Sequence, residues 1–358
     1  MQIVNHPLYR EDLALIAGLP VPWEKLRNKT ILISGASGLI GSVLVDALMW
    51  KNRTDGLGCR VLALGRNEKR AAERFAYCAE SGGFRFIRHD INLPLDPEAA
   101  GRADFVLHLA SNTHPLAYST DPVGTITTNI FGLKNLLDYS VRCGAERFAF
   151  ASSNEIYGEN SGDTEKFDEQ YCGYINCNTL RAGYPESKRC GEALCQAYRA
   201  QYGTDLVIPR LTRSYGPTLL PTDTKAMSQF LGNALHGEDI VLKSEGTQFY
   251  SYTYAADAAA GLLTVLLSGV SGEAYNIADE ASDIRLKDLA QVIAEAAGSR
   301  VVFELPDETE SRGYSRATKA RLDSRKLSAL GWSAHYDIRS GVERTLRILR
   351  DLQNRERM

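Results

Sequence analysis

The chain has 358 residues, 44% of them hydrophobic and 24% charged, with a net charge of −3. That balance describes a soluble globular protein with no basic field to collect nucleic acid or anionic lipid, so an anionic ligand needs a local site. No run approaches the roughly 18 apolar residues that span a bilayer, the N-terminus has no basic stretch before an apolar core, and a cytoplasmic protein is expected.

Residues 1–28 read as a polar leader with one helical stretch, Arg10 to Ala17, closed by Gly18 and Pro20. Thr30–Ser34 is a short apolar run entering a glycine turn, and Leu39–Trp50 has apolar residues at helical spacing. Arg60–Leu64 reads as the second strand, Arg70–Glu80 as a helix and Phe84–Ile87 as the third strand. Phe105–Leu109 and Arg147–Ala151 follow as strands, separated by a helix over Val123–Cys143; Tyr184–Gln201 is helical. Strands alternating with helices predict an α/β fold with a doubly wound parallel sheet.

After Leu206 the rhythm loosens around Pro209, Pro217 and Pro221. A helix over Lys225–Leu235, an aromatic-rich stretch over Leu242–Asp257 and a helix over Ala258–Leu267 follow. The expected division is a leader (1–28), a dinucleotide domain (29–205, with return segments near 238–265) and a smaller discontinuous substrate lobe (206–237 and 266–358). Cysteines 59, 78, 143, 172, 177, 190 and 195 are scattered, with no histidine cluster beside them. They read as reduced thiols rather than as metal ligands or disulfides.

Gly35-Ala36-Ser37-Gly38-Leu39-Ile40-Gly41 joins the first strand to the first helix. Glycine permits the tight turn, lets backbone approach a pyrophosphate and brings helix against strand, while the helix N-terminus meets phosphate charge. The spacing G-x-x-G-x-x-G resembles the extended short-chain dehydrogenase/reductases, the NAD-dependent epimerase/dehydratase family. The resemblance spans about residues 29–345 and implies a Rossmann-like fold and a bound NAD or NADP. It also implies that Asp90 and Ile91 contact adenine and that Leu109 and Ala110 line the cofactor. NAD-using relatives carry an acidic residue at the end of the second strand; here Leu64-Gly65-Arg66-Asn67 has none, and Arg66, with Arg70 nearby, favours the 2′-phosphate of NADP.

Tyr184-Pro185-Glu186-Ser187-Lys188 opens a helix, and positions i and i+4 share one face. A lysine beside a phenol favours the phenolate, which suits Tyr184 as the acid/base for a sugar hydroxyl that becomes a ketone. Ala151-Ser152-Ser153-Asn154-Glu155-Ile156-Tyr157-Gly158 resembles the segment of this family in which a hydroxyl, here Ser153, binds the reacting oxygen. Glu155 stands where UDP-glucuronate decarboxylases and nucleotide-sugar 4,6-dehydratases carry glutamate. Once C4 is a ketone the C5 proton is acidic, and a carboxylate can move it. Asn154, at the substrate, cannot protonate a departing C6 hydroxyl as the aspartate of many dehydratases does.

Arg210-Leu211-Thr212-Arg213-Ser214-Tyr215-Gly216-Pro217 resembles the family's Arg-x-x-Asn-x-Tyr-Gly-Pro segment, with Arg213 in place of asparagine. Gly246-Thr247-Gln248-Phe249-Tyr250 resembles the segment that carries a diphosphate-binding arginine, with Tyr250 in its place. The two departures compensate in charge, so Arg213 is expected to reach the diphosphate or a sugar carboxylate. Arg312, Arg316, Lys319 and Arg321 are further candidates for the phosphate.

The resemblance therefore implies a nucleotide-diphosphate sugar oxidised at C4 by Tyr184, Lys188 and Ser153, with Glu155 acting around C5 in decarboxylation or dehydration. A 4-epimerase or reductase is the first alternative. A non-catalytic nucleotide-sensing protein is the second, although such relatives lose the tyrosine or the lysine. The helices Val123–Cys143 and Tyr184–Gln201 resemble those through which the family forms homodimers.

Overall fold

The protein is seen in a computed structural model that describes residues 2–113, 115–220, 222–304 and 318–356. Its central sheet is built from β1 (Thr30–Ser34), β2 (Arg60–Gly65), β3 (Phe84–Arg88), β4 (Phe105–His108), β5 (Arg147–Phe150), β6 (Ser152–Ser153), β7 (Leu206–Leu211) and, after three strands of the second lobe, β11 (Ala274–Ile277). The order is β11-β7-β5-β4-β1-β2-β3, with β6 beside β7, and every pairing is parallel. Ile31, Leu32 and Ile33 are fully buried, as continuous apolar runs must be when helices cover both faces of a sheet. The chain steps out from β1 in opposite directions to β2 and β4, so a crevice opens beyond the carboxyl ends of those strands.

The remaining strands of the second lobe are β8 (Arg213–Tyr215), β9 (Ile240–Leu242), β10 (Phe249–Tyr254), β12 (Asp279–Arg285), β13 (Val301–Phe303) and β14 (Lys319–Ala320). β10 is the hub, antiparallel to β12 and parallel to β8 and β14. β9 and β13 pair separately.

Three sequence boundaries move. The expected break at Leu206 falls inside the central sheet, because β7 is one of its interior strands. Pro209 stays in register with Tyr275 of β11 and is tolerated because, on the other side of β7, it lies between the pairings to β5 (Leu206, Val207) and those to β6 (Arg210, Leu211), where one ladder has ended and the next has not begun. The segment 274–277, assigned to the substrate lobe, is the edge strand of the same sheet. Val123–Cys143 is not one helix: Pro122–Thr127 passes through a π-turn at Thr128–Gly132 before Leu133–Cys143.

The leader is part of the packed body. Helix α1 (Pro7–Ala17) starts on a His6 cap with Pro7 in its first turn and buries Tyr9, Leu13 and Ile16. The Tyr9 hydroxyl donates to Asp46 (2.6 Å), on helix α2 (Leu39–Asp55), and Asp12 accepts from the Tyr254 hydroxyl (2.8 Å) and from Arg344 Nε (2.7 Å) on the C-terminal helix Ile338–Glu356. No helix among the described residues is long and apolar enough to cross a membrane.

Candidate active site

A cleft of about 970 Å³ occupies the crevice beyond β1 and β4. The glycine turn forms one wall. Gly35 has φ +70°, and a Cβ there would sit 2.9 Å from the Ala110 nitrogen; a Cβ on Gly41 would sit 2.3 Å from the Gly35 carbonyl oxygen. Both positions need glycine, one for the left-handed turn beside β4 and one for the start of α2 against that turn. Gly38 caps α2 without a side-chain acceptor, and Ser37, Gly38, Leu39, Ile40 and Gly41 line the cleft with the helix's first N–H groups.

β4 is fastened to β1 at this point. His108 is buried, which lowers its pKa to about 3 and keeps the ring neutral. Its Nδ1 lies 2.7 Å from Ser34 Oγ, which accepts the N–H groups of Leu109 (3.1 Å) and Ala110 (3.2 Å). With those lone pairs engaged, the Ser34 proton goes to Nδ1. The clip sets Leu109 and Ala110 against Gly35.

Arg66 follows β2, and Asn67 caps the next helix by accepting the Arg70 N–H at 2.9 Å. Arg66, Arg70, Asp90 and Ile91 line this end of the cleft. The Asp90 carboxylate accepts the Asn92 backbone N–H and Nδ2, both at 3.0 Å, and so fixes its own turn. Ser152 Oγ is buried on the cleft wall with no hydrogen-bond partner. An uncapped helix terminus, two cations after β2 and an orphaned hydroxyl near Lys188 fit a nicotinamide dinucleotide laid along this wall.

At the other end, Tyr184 and Lys188 lie in the first turns of the helix Gly183–Tyr202, both buried. Lys188 Nζ donates to the Ala151 carbonyl (2.9 Å) and stands 4.8 Å from the Phe150 ring and 6.0 Å from the Tyr184 ring. Burial lowers it to about 8. Burial pushes the Tyr184 phenol well above its ordinary value and Glu155 adds to the rise, while Ser153, Arg181 and Tyr118 pull it down. The expected lowering by Lys188 is therefore not the net effect in the protein alone, because an ammonium 6.0 Å away does not offset lost hydration. Ser153 is buried and accepts the Glu155 N–H at 3.2 Å. Asn154 is buried beside it on the cleft wall.

The π-turn has a local consequence. Ser111 Oγ donates to Asn129 Oδ1 (2.6 Å), Asn129 Nδ2 donates to Ser187 Oγ (2.8 Å), and Ser187 donates to the Tyr184 carbonyl (2.8 Å). This buried relay ties the chain after β4 to the tyrosine's own turn.

Two residues at this end carry no sequence signal of their own. Both oxygens of Glu155 are held by Arg181 Nη2, at 2.7 and 2.5 Å. The Arg181 guanidinium lies 4.6 Å from the Tyr118 ring, and that ring lies 4.9 Å from the ring of Tyr184. Arg181 is three residues before Tyr184, a spacing that can share a helix face, but nothing marks its partner. Tyr118 comes from a separate short helix, Pro115–Thr120.

Arg213 lines the cleft, and its guanidinium lies 3.4 Å from the Tyr250 ring centroid with Nη1 lacking a hydrogen-bond partner. Tyr250 itself is buried on β10 and is absent from the cleft wall, so it reaches the site through Arg213. Arg321 is also away from the wall: it stacks 4.6 Å from Phe249 and faces Glu165 at 3.9 Å. Lys319 pairs with Phe249 in the small sheet. Arg312 and Arg316 lie outside the described residues. A recess of about 80 Å³ beside Asn154, Glu155, Arg181 and Arg213 continues the site toward residues 174–179. Among the described residues, no group of three or more His, Cys, Asp or Glu side chains could hold a metal ion.

The model of a family described as the NAD dependent epimerase/dehydratase family matches residues 31–278. UDP-glucuronic acid decarboxylase 3 of Arabidopsis thaliana is 31% identical over 315 residues, 88% of this chain and 87% of its own length. Two solved structures share the fold. A dTDP-glucose 4,6-dehydratase from Streptomyces venezuelae, with NAD bound, superposes with a TM-score of 0.78 at 24% identity, covering 91% of this chain and 98% of its own. A UDP-glucuronic acid 4-epimerase from Bacillus cereus, with UDP-glucuronic acid and NAD, gives 0.77 at 22%, covering 90% and 99%.

Proposed function

The chain belongs to the NAD dependent epimerase/dehydratase family, and we propose that within it the protein is a nucleotide-sugar lyase that decarboxylates a nucleotide-linked uronic acid through a C4 ketone. The observation that carries the choice is Arg213 on the cleft wall, stacked on Tyr250 with Nη1 unpartnered: a cation suited to a carboxylate at the sugar end. Two further features weigh against dehydration. Glu155 is already engaged by Arg181, which makes it a poor base for the C5 proton, and Asn154 cannot protonate a departing hydroxyl. The decarboxylase relative is consistent with this reading.

A bound nicotinamide would supply the hydride acceptor for C4 and the donor for its return. Tyr184 takes the C4 hydroxyl proton, Ser153 holds the reacting oxygen, and Lys188 supplies positive charge beside the phenol. The C4 ketone then stands β to the carboxylate. The C5–carboxylate bond breaks, carbon dioxide leaves, and the electron pair passes into the C4 enolate. Arg213 binds the carboxylate before it leaves, C5 of the enolate takes its proton from water, and Glu155, held by Arg181, stays in a positioning role. Tyr184 returns its proton as C4 is reduced, so the cycle ends with no net oxidation. Arg66, with Arg70 on the same wall and no carboxylate at residues 65–67, makes NADP the preferred dinucleotide. All seven cysteines are free, three of them exposed, which fits a reducing cytoplasm. Exposed Val123, Ile126 and Phe131 supply an apolar face for a homodimer, checked by light scattering.

Incubation with UDP-glucuronate, UDP-glucose and dTDP-glucose in turn tests the reading. Carbon dioxide and a pentose nucleotide from the first are expected. A 4-keto-6-deoxy product from either hexose, or inversion at C4 alone, overturns it. Tighter binding of NAD than NADP removes the cofactor preference.

A further inference from the structure

Arg181 contacts Glu155 directly and the proposed acid/base Tyr184 through the Tyr118 ring. Nη2 binds both oxygens of Glu155 at 2.7 and 2.5 Å, and the guanidinium stacks 4.6 Å from Tyr118, whose ring is 4.9 Å from Tyr184. The side chain is largely buried: 12% of it is exposed, against 19% for Glu155. At such depth an unpaired carboxylate acts on its neighbours through a medium of low dielectric. Glu155 does raise the phenol of Tyr184 and Arg181 does lower it.

We propose that Arg181 is a positioning residue that neutralises Glu155 and holds the tilted Tyr118–Tyr184 pair, so that a carboxylate can stand beside the catalytic phenol without opposing its ionisation. The inference rests on the functional reading above. The groups facing Tyr184 are Glu155 and Ser153 from the segment after β5, Arg181 from the turn Leu180–Ala182, Tyr118 from Pro115–Thr120 and Lys188 from its own helix. Among them Glu155 is the source of negative charge, and Arg181 is the cation bonded to it. Tyr118 gives the guanidinium a flat apolar bed, which holds it in place without competing for its N–H groups.

The test is the pH dependence of the first half-reaction, read as nicotinamide reduction in a single turnover with UDP-glucuronate. It compares the dinucleotide-loaded wild type, Arg181→Gln, Arg181→Lys, Glu155→Gln and the double variant Arg181→Gln/Glu155→Gln. In Arg181→Gln the midpoint should rise by about one unit or more, because an opposite charge at this range shifts a pKa by about 1–3 units. Arg181→Lys should keep most of the wild-type midpoint, and the double variant should return toward it because both charges are gone. An unchanged midpoint in Arg181→Gln overturns the inference while leaving the function intact. So does a double variant shifted as far as the single one, the result of a merely structural role. Should Arg181→Gln fail to fold, Arg181→Lys and the double variant carry the comparison, and a double variant far from the wild-type midpoint counts against the proposal. Absence of nicotinamide reduction in the wild type overturns the functional reading itself.

Discussion

The Arg213 guanidinium lies 3.4 Å from the centroid of the Tyr250 ring, so two positions at which the sequence departs from the segments it resembles are in contact. The cation on β8 lies over the aromatic ring that stands on β10, and the pairing of Tyr252 with Arg213 sets the two strands side by side. The ring holds the cation in place by a cation–π contact.

Arg213→Ala is therefore expected to weaken UDP-glucuronate binding by about 10–100-fold, the equivalent of a charge-assisted hydrogen bond of about 1.5–3 kcal/mol. Cofactor content should stay unchanged, since Arg213 stands at the sugar end. Titration calorimetry on the loaded protein reads both, and unaltered affinity removes Arg213 from the substrate site.

Tyr184→Phe should keep its packing, because it retains the ring that lies 4.9 Å from the Tyr118 ring. Loss of the acid/base is expected to slow nicotinamide reduction by about 10²–10⁴-fold. Circular dichroism and melting temperature should remain close to wild type. A variant with full activity assigns the proton transfer elsewhere.

Gly41→Ala places a methyl 2.3 Å from the Gly35 carbonyl oxygen, a contact that backbone must move to relieve. A stability loss of about 1–3 kcal/mol is expected, together with loss of retained dinucleotide, because α2 is displaced from the turn. Gly232→Ala, where nothing lies within 4 Å of the new Cβ and the backbone is not left-handed, is the control: it should retain dinucleotide.

Burial raises the carboxyl of Asp12 to about 6, against the pull of Arg344, Tyr254 and Tyr336. The folded chain holds that proton over a range in which the unfolded chain has lost it, so this contribution to stability falls as pH rises from about 4 to about 6. The stability advantage of wild type over Asp12→Asn should therefore shrink by up to about 3 kcal/mol across that window. Urea unfolding at both ends measures it, and a constant difference means that Asp12 titrates normally.

The sequence by itself determined what depends on near neighbours. The glycine turn, Tyr184 with Lys188 and the alternating strands and helices were all legible, because backbone torsion and the period of a helix are set within a few residues. Ser153 and Glu155 could be placed at a strand end for the same reason. Tertiary structure alone decided which charges meet. Glu155 and Arg181 are 26 residues apart, and the Tyr118 ring comes from another helix. The docking of α1 through Asp12 and Arg344 joins positions 332 residues apart. Pro209 suggested a loop because its tolerance in β7 depends on where two neighbouring strands break, and no local pattern records that. A residue's type states the chemistry it can perform, but the partner that tunes it is fixed by a distance that exists only after the chain has folded.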